Sequence, residues 1–194
     1  MSDLTRTDVV KLIAVATYPL NLISVNLEGV DLSYLDLTNA VLTNAVLTNA
    51  KLNEAKLEGA DLTNAVLTNA ELNNADLGRA NLTNADLRRA NLTNAYLGRA
   101  NLTNAYLGRA NLTNADLRWA NLEGANLSGA CLIGAKLMDA EGNSAELNAA
   151  KANEEASLAA NMAKVEIQFK IYRAIFIIIC IIAVIGLYQE IFLK

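Results

Sequence analysis

The sequence predicts an all-β solenoid, in which the chain winds into stacked coils around a narrow apolar interior. Two observations support this prediction. Every fifth residue from Leu22 to Leu137 is leucine, and every fifth residue from Ala40 to Ala150 is alanine. Self-similarity at so short a fixed period is typical of repeat architectures, in which each unit buries its apolar face only against neighbouring units.

A five-residue period fits neither standard secondary structure. Five residues of α-helix turn through about 500°, so the leucines would spiral around the helix instead of forming a stripe. On a flat strand the odd spacing would place successive leucines on opposite faces. The leucines share one interior only if the chain turns a corner in every repeat. Corners close to a right angle close a coil after four repeats.

The interior of such a coil takes two side chains from each repeat. Leucine and the alanine two positions before it point inward, because alternate residues of an extended segment share a face. The other three positions face outward and are mostly polar. Residues 20–140 make about six coils, or about 29 Å at a spacing of about 4.8 Å. The predicted core ladder includes Leu82, Leu87, Leu92, Leu97, Leu102, Leu107, Leu112 and Leu117.

The repeat unit can be written A-(N/D)-L-x-x, with Asn81, Asn91 and Asn101 in its second place. This pattern resembles the pentapeptide-repeat family over roughly residues 20–140. The resemblance implies a right-handed quadrilateral β-helix, and both the handedness and the four-sided coil come from the family. Some members mimic DNA and modulate a type II topoisomerase. A soluble oligomeric modulator of that kind is therefore an alternative function for this chain.

The N-terminal segment, residues 1–19, is predicted to form a helix that caps the first coil. An open coil end is a row of unpaired strand groups, so a cover is expected there. Residues 3–17 have an amphipathic pattern, and Pro19 ends it. The apolar positions are Leu4, Val9, Val10, Leu12, Ile13 and Val15.

Residues 141–170 are rich in Ala, Glu and Lys and predict a helical linker. An apolar seam with alternating spacings of four and three runs through residues 158–179, as in a coiled coil. It supports either a homo-oligomer or packing back on the repeat domain. The seam residues are Leu158, Met162, Val165, Phe169, Tyr172, Phe176 and Ile179.

Residues 171–193 predict a transmembrane helix, with residues 174–188 free of charge. Cationic residues precede it, so the positive-inside rule gives a single-pass protein with its repeat domain in the cytoplasm. The alternative is a helix buried in an oligomer. The predicted membrane anchor comprises Ile175, Phe176, Ile177, Ile178, Ile179, Ile181, Ile182, Val184, Ile185 and Leu187.

The composition excludes several classes of function. The chain has 0 His and a formal net charge of −4, which argues against His-based catalysis and against binding nucleic acid. Its 2 Cys suggest neither a disulfide framework nor a zinc site. We therefore predict a protein that is not an enzyme, with no catalytic residue, no metal site and no cofactor.

Outward residues twenty apart form columns on the predicted coils. Arg, Tyr and Trp are enriched at protein interfaces, so columns of these residues predict a docking patch for an unknown protein partner. The alternative is a solvated wall. The candidate residues are Arg79, Tyr96, Arg99, Tyr106, Arg109 and Trp119. The predicted function is a membrane-tethered structural and interaction module that presents a rigid tower to the cytoplasm.

Overall fold

The computed structural model describes residues 3–16, 19–142, 147–150, 162, 164–166 and 168–169. The chain divides into two compact units, Met1–Glu154 and Glu155–Lys194. The first unit contains helix α1, Arg6–Val15, followed by the repeats. In the second unit, the described residues are helical.

The repeats form a four-sided coil of twenty residues. Parallel bridges join residues that are twenty apart, from the pair Asn21 and Val41 to the pair Asn121 and Glu141. One bridging residue occurs in each repeat, so four columns of bridges run along the coil axis. The chain therefore turns one corner per repeat, as the leucine spacing predicts.

Backbone hydrogen bonds hold each repeat to the coils on both sides. The Leu42 N–H donates to the Asp61 carbonyl of the next coil at 2.7 Å, and the Val41 N–H donates to the Leu20 carbonyl of the preceding coil at 2.8 Å. The corner is a four-residue turn, closed by the Ala45 N–H on the Leu42 carbonyl at 3.0 Å. The third residue of that turn, Asn44, has φ of 58°. Such a left-handed residue is required in a type II turn, where Gly and Asn are favoured.

The interior is filled by the two ladders. Every leucine of the ladder listed above has 0% exposed surface, and Ala95 and Ala105 are equally buried. The ladder loosens at the last coil, where Ala130 and Leu132 are only partly buried.

Helix α1 covers the open end of the first coil. Val9 is fully buried against the coil. The Arg6 guanidinium donates to the Asp31 carbonyl at 2.8 Å and to the Ser33 carbonyl at 3.0 Å. In later coils the equivalent carbonyls accept from the preceding coil, so Arg6 replaces a missing neighbour. The sequence pattern gave no indication of this role.

The helix buries a narrower face than the sequence predicts. Leu4 and Ile13 pack partly against the core, but Val10, Leu12 and Val15 are 42%, 37% and 77% exposed. The helix starts with a capping box, in which Thr5 accepts from the Asp8 N–H and Asp8 accepts from the Thr5 N–H. The amphipathic pattern thus overstated the area of contact.

The last coil is closed by a residue beyond the repeats. Where the ladder lapses at Gly142, a side chain would meet Leu147 Cδ2 at 2.8 Å and Leu122 Cβ at 3.1 Å. Leu147 is fully buried, so it fills the place that a leucine at position 142 would take. Leu147 therefore belongs to the core of the first unit, although the sequence placed it in the linker.

The described residues of the C-terminal seam are exposed, at 74% for Met162, 57% for Val165 and 72% for Phe169. The remaining seam residues and the predicted membrane segment, residues 171–193, lie outside the described residues. No helix within the described part of the chain is long and apolar enough to cross a membrane.

Candidate interaction surfaces

The four sides of the coil differ in composition. Consecutive repeats take consecutive sides, so segments ten residues apart lie on opposite sides of the coil. The Asn–Thr sides are residues 81–84 with 101–104, and residues 91–94 with 111–114. The aromatic side is residues 76–79, 96–99 and 116–119. The arginine side, opposite to it, is residues 86–89, 106–109 and 126–129.

The Asn–Thr sides satisfy their polar groups internally. Asn81 donates to the Thr63 hydroxyl at 2.9 Å, and the Thr83 hydroxyl donates to the Asn81 amide oxygen at 2.7 Å. Asn101 then donates to the Thr83 hydroxyl at 3.0 Å. This chain of bonds links successive coils. The frequent NLTNA repeat is therefore explained by stability, without a ligand.

The corner positions hold most of the candidate residues. Arg79, Arg99 and Trp119 have φ of 58°, 61° and 58°. Most other corners carry Asn or Gly, which tolerate this region, whereas larger side chains are strained there by about 1 kcal/mol. The prevalence of Asn and Gly at this position is a sequence signal for the geometry. Strained residues that persist in a structure point to a use beyond folding.

Tyr96 lies flat on the aromatic side, across two glycines. A Cβ atom at Gly78 would be 2.6 Å from Tyr96 Cε1, and one at Gly98 would be 2.5 Å from Tyr96 Oη. Both glycines are buried beneath the ring, while Tyr96 itself stays 43% exposed. The ring thus has one packed face and one face in solvent.

Trp119 lies between two arginines on the aromatic side. The guanidinium carbons of Arg99 and Arg118 are each 5.5 Å from the centre of the indole ring, within cation–π range. Arg118 is held by Asp116, with Nε 2.8 Å from Oδ1 and Nη2 2.6 Å from Oδ2. This hydrogen bonding, against the opposing effect of burial, lowers the pKa of Asp116. Trp119 remains 44% exposed.

The surface of the arginine side contains a concavity. Arg88 pairs with both carboxylate oxygens of Asp86. Beside this pair is an open concavity of about 390 Å³. Tyr106 is 51% exposed and does not cover the glycine of its own repeat, Gly108, since the nearest atoms to a Cβ there are 3.8 Å away.

The structure divides the predicted patch between opposite sides. Arg79, Tyr96, Arg99 and Trp119 come together on the aromatic side, and Tyr106 and Arg109 lie on the arginine side. A single binding site for a protein partner therefore cannot include the residues of both sides.

Sequence reasoning missed two members of the aromatic side. Arg118 stacks on Trp119. Met138 is 51% exposed, and its carbonyl accepts from the Trp119 N–H at 3.1 Å. The twenty-residue column that contains Gly98, Arg118 and Met138 would have identified both.

Among the described residues, no group of three or more His, Cys, Asp or Glu is placed to hold a metal ion. Cys131 is a free thiol whose sulfur lies 3.4 Å from the Thr113 hydroxyl. That hydrogen bond, and a second from the Ile133 backbone, lower the thiol pKa.

Comparison with known proteins agrees with this geometry. The family model for pentapeptide repeats matches residues 21–59, 60–99 and 100–139, in 8 copies. The chain belongs to the pentapeptide-repeat family. Proteins of this family fold as right-handed quadrilateral β-helices and are generally structural or interaction modules. The four columns of bridges are the quadrilateral of this pentapeptide-repeat protein.

Several solved structures are similar to this chain. HetL from the cyanobacterium Nostoc, a pentapeptide-repeat protein involved in heterocyst differentiation regulation, is 33% identical, with 62% of this chain and 71% of HetL covered and a TM-score of 0.32. Rfr23 from the cyanobacterium Cyanothece is 29% identical, with 70% and 99% covered and a TM-score of 0.38. QnrB1, a plasmid-mediated fluoroquinolone resistance protein, is 18% identical, with 62% and 72% covered and a TM-score of 0.37. No curated protein matches the chain.

Proposed function

We propose that this protein is a non-enzymatic interaction module whose aromatic side docks a protein partner. In this proposal a rigid tower of about six coils is followed by a long C-terminal helix. The observation that supports it most is Trp119, a 44% exposed indole between two arginines at a turn position that disfavours large residues.

The chemistry of the aromatic side suits a protein interface. Trp, Tyr and Arg supply most interface hot spots, because they offer large contact area with polar or charged tips. Tyr96 and Met138 extend the exposed apolar area on either side of Trp119. The Tyr96 ring is already packed on one face, so it loses little conformational entropy on binding.

The same side indicates what the partner presents. Arg79 lies 3.6 Å from Glu58, an exposed ion pair, but Arg99 makes no ion pair among the described residues. A partner carboxylate can therefore pair with Arg99 while an apolar residue packs on Trp119. We expect a segment in which an acidic residue lies next to an apolar anchor.

Site-specific photocrosslinking in living cells tests this proposal. A benzophenone amino acid at position 96 reports on the aromatic side, and the same residue at position 106 is the matched control on the opposite side. We expect one defined adduct from position 96 and none from position 106. Adding Trp119→Asn should abolish the adduct without lowering the melting temperature. Equal adducts from both positions, or an adduct that survives Trp119→Asn, would reject the aromatic side.

We further propose that residues 171–193 tether the tower to a membrane. The support is the uncharged run 174–188 and the cationic flank before it. The full chain and a truncation after Glu154, which retains Leu147, should be compared by alkaline carbonate washing of membranes. The full chain should resist the wash, and the truncation should be soluble. Release of the full chain would contradict the tether.

We also propose self-association through residues 158–179, supported by the three described seam residues, which are exposed. Met162, Val165 and Phe169 present a continuous apolar edge with coiled-coil spacing. Val165→Lys should convert an oligomer of the full chain in detergent to a monomer, as measured by light scattering. Lys164→Ala, one residue away, is the control. An unchanged mass for Val165→Lys would exclude this interface.

The topoisomerase alternative has less support in this geometry. A DNA mimic requires a densely acidic wall, whereas residues 21–140 mix acidic with basic side chains. A gyrase supercoiling assay with the full chain separates the two functions. Inhibition at micromolar protein would favour the alternative.

A further inference from the structure

We propose that the concavity on the arginine side binds a phosphate-bearing small molecule. This site lies opposite to the aromatic side and is independent of the docking proposal. Its volume is about 390 Å³, within the range of about 300–1,000 Å³ that small-molecule sites occupy. Its lining residues are Thr68, Arg88, Arg89, Gly108, Arg109 and Ser128.

The lining residues come from two columns and span four coils. Thr68, Arg88, Gly108 and Ser128 occupy the same outward position of coils that follow one another. At about 4.8 Å per coil the column is about 14 Å long. Arg89 and Arg109 are the next residues in their repeats and border this column along one edge.

The site carries positive charge without internal compensation. Arg88 donates to both carboxylate oxygens of Asp86, the acidic residue on the same side of the same coil. Within the described part of the chain, Arg89 and Arg109 have no ion pair or hydrogen-bond acceptor for their side chains. Two arginines without a carboxylate partner therefore line one concavity of a chain whose formal net charge is −4.

A backbone donor lies at the centre of the column. In the flanking coils, the Arg88 N–H donates to Asp86 Oδ1 at 3.1 Å and the Ser128 N–H donates to Asn126 Oδ1 at 3.0 Å. Gly108 follows Tyr106, which has no side-chain oxygen within reach of this position. The Gly108 N–H consequently has no acceptor among the described residues. It can donate to a bound oxyanion between the arginines.

The concavity exists because Gly108 has no side chain. A Cβ atom at Gly108 would lie 3.8 Å from Arg88 Cγ and from the Ser128 carbonyl oxygen, an ordinary contact distance, so the position has room for a small side chain. Arg89 and Arg109 reach the rim from left-handed corners, with φ of 59° and 60°. Asn69 lies twenty residues before Arg89, at the equivalent corner of the preceding coil. Asn is less strained there than Arg.

The donor set defines the ligand class. Guanidinium groups bind phosphate oxygens through paired N–H donors, and hydroxyl and backbone N–H groups complete such sites. Ser128 supplies a hydroxyl at one end of the column, whereas the Thr68 side chain at the other end is hydrogen-bonded to Asp86. The length of the column suits a diphosphate or a phosphate monoester with a small organic group. Inorganic diphosphate is the simplest probe.

Calorimetric titration of the full chain in nonionic detergent tests the site. Diphosphate should bind at low salt, while sodium chloride of equal ionic strength should give no saturable heat. The double variant Arg89→Asn/Arg109→Asn should lose affinity by at least about tenfold, because two charge-assisted contacts are removed. The matched double variant Arg79→Asn/Arg99→Asn makes the same charge and corner changes on the opposite side. It should stay within about twofold of the unmodified chain.

A second variant fills the concavity without changing any charge. Gly108→Thr places at this position the residue that Thr68 already has in the same column, so the coil should fold. Diphosphate affinity should again fall by at least about tenfold. Three results would overturn the site: no binding at millimolar diphosphate, equal losses in the two arginine pairs, or full affinity in Gly108→Thr.

Discussion

The same five residues, YLGRA, form two different surfaces at positions 96–100 and 106–110. On the aromatic side, Tyr96 covers Gly98 and Gly78 with its ring. On the arginine side, Tyr106 leaves Gly108 uncovered, and a concavity remains. The two repeats are identical in sequence, so their own residues do not explain the difference between the two surfaces.

The cause lies one coil away. The residue twenty before Gly98 is Gly78, so the ring of Tyr96 can lie across both. The residue twenty before Gly108 is Arg88, whose side chain and its partner Asp86 occupy the equivalent place. The surface of a repeat in a solenoid is therefore set by its stacked neighbours as much as by its own residues. Four predictions, ordered by expected effect, test this comparison.

The largest effect should be the same in both copies. Ala95→Leu and Ala105→Leu each insert a large residue into the shaft, where the alanines are fully buried. We expect each variant to lower the free energy of unfolding by about 1–3 kcal/mol in urea titrations. Thr48→Leu, at a half-buried outward position, is the control. A clear difference between the two alanines would show that the interiors are not equivalent.

The second effect should distinguish the copies. Gly98→Ala must displace the Tyr96 ring, which would lie within 2.5 Å of the new Cβ, whereas the new Cβ of Gly108→Ala meets Arg88 Cγ and the Ser128 carbonyl oxygen at an ordinary contact distance of 3.8 Å. We expect a loss of about 1 kcal/mol for Gly98→Ala and less than about 0.5 kcal/mol for Gly108→Ala. Equal losses in urea unfolding would mean that the two tyrosines are placed alike.

The third effect concerns corner strain. Arg89→Asn should raise the free energy of unfolding by about 0.5–1 kcal/mol, because Asn tolerates the left-handed corner better than Arg. It can also extend the ladder in which Asn69 donates to Asn49 at 3.3 Å. The reverse change, Asn94→Arg, should lower stability by a similar amount. If neither variant shifts the urea midpoint, strain is not a property of these corners.

The smallest effect should be a pH dependence shared by both sides. Hydrogen bonds from Arg88 and Arg118 hold the pKa values of Asp86 and Asp116 below the ordinary value of 3.8. Each carboxylate therefore contributes stability above the pKa of the unfolded state, and the contribution is lost as pH falls through the lower folded pKa. Asp116→Asn should flatten the fall in urea midpoint between about pH 5 and about pH 3. A steeper fall in that variant would contradict the sign.

Much of the fold was predictable because its rule is local. The leucine and alanine spacing dictates a corner every five residues, and the direction of each side chain follows from its place in the repeat. The family resemblance added the closure of the coil after four corners. The corner residue was also predictable from the frequency of Asn and Gly, since both tolerate a positive φ. The capping roles of Arg6 and Leu147 were not predictable from the repeat. Each residue takes the place of a group that a further coil would supply at that end of the stack.

The candidate site was only partly predictable. The sequence places Arg99 and Trp119 in one column, and the structure stacks them at 5.5 Å. The repeat pattern places Tyr96 and Tyr106 at the same position of identical repeats. Only the assignment of repeats to the four sides of the coil shows that the two tyrosines lie on opposite sides. The arginine concavity left no signal within any single repeat, since it arises from a missing side chain at Gly108 between residues of other coils.

The sequence by itself determined the corner in each repeat and the residues of the interior, because both follow from a period that all the repeats share. Only the tertiary structure decided which outward residues meet, since stacking brings together residues twenty apart and places equal repeats beside unequal neighbours. Tyr96 came to lie over glycine and Tyr106 came to lie beside arginine for that reason. The interior depends on what the repeats share, and the surfaces depend on where they differ.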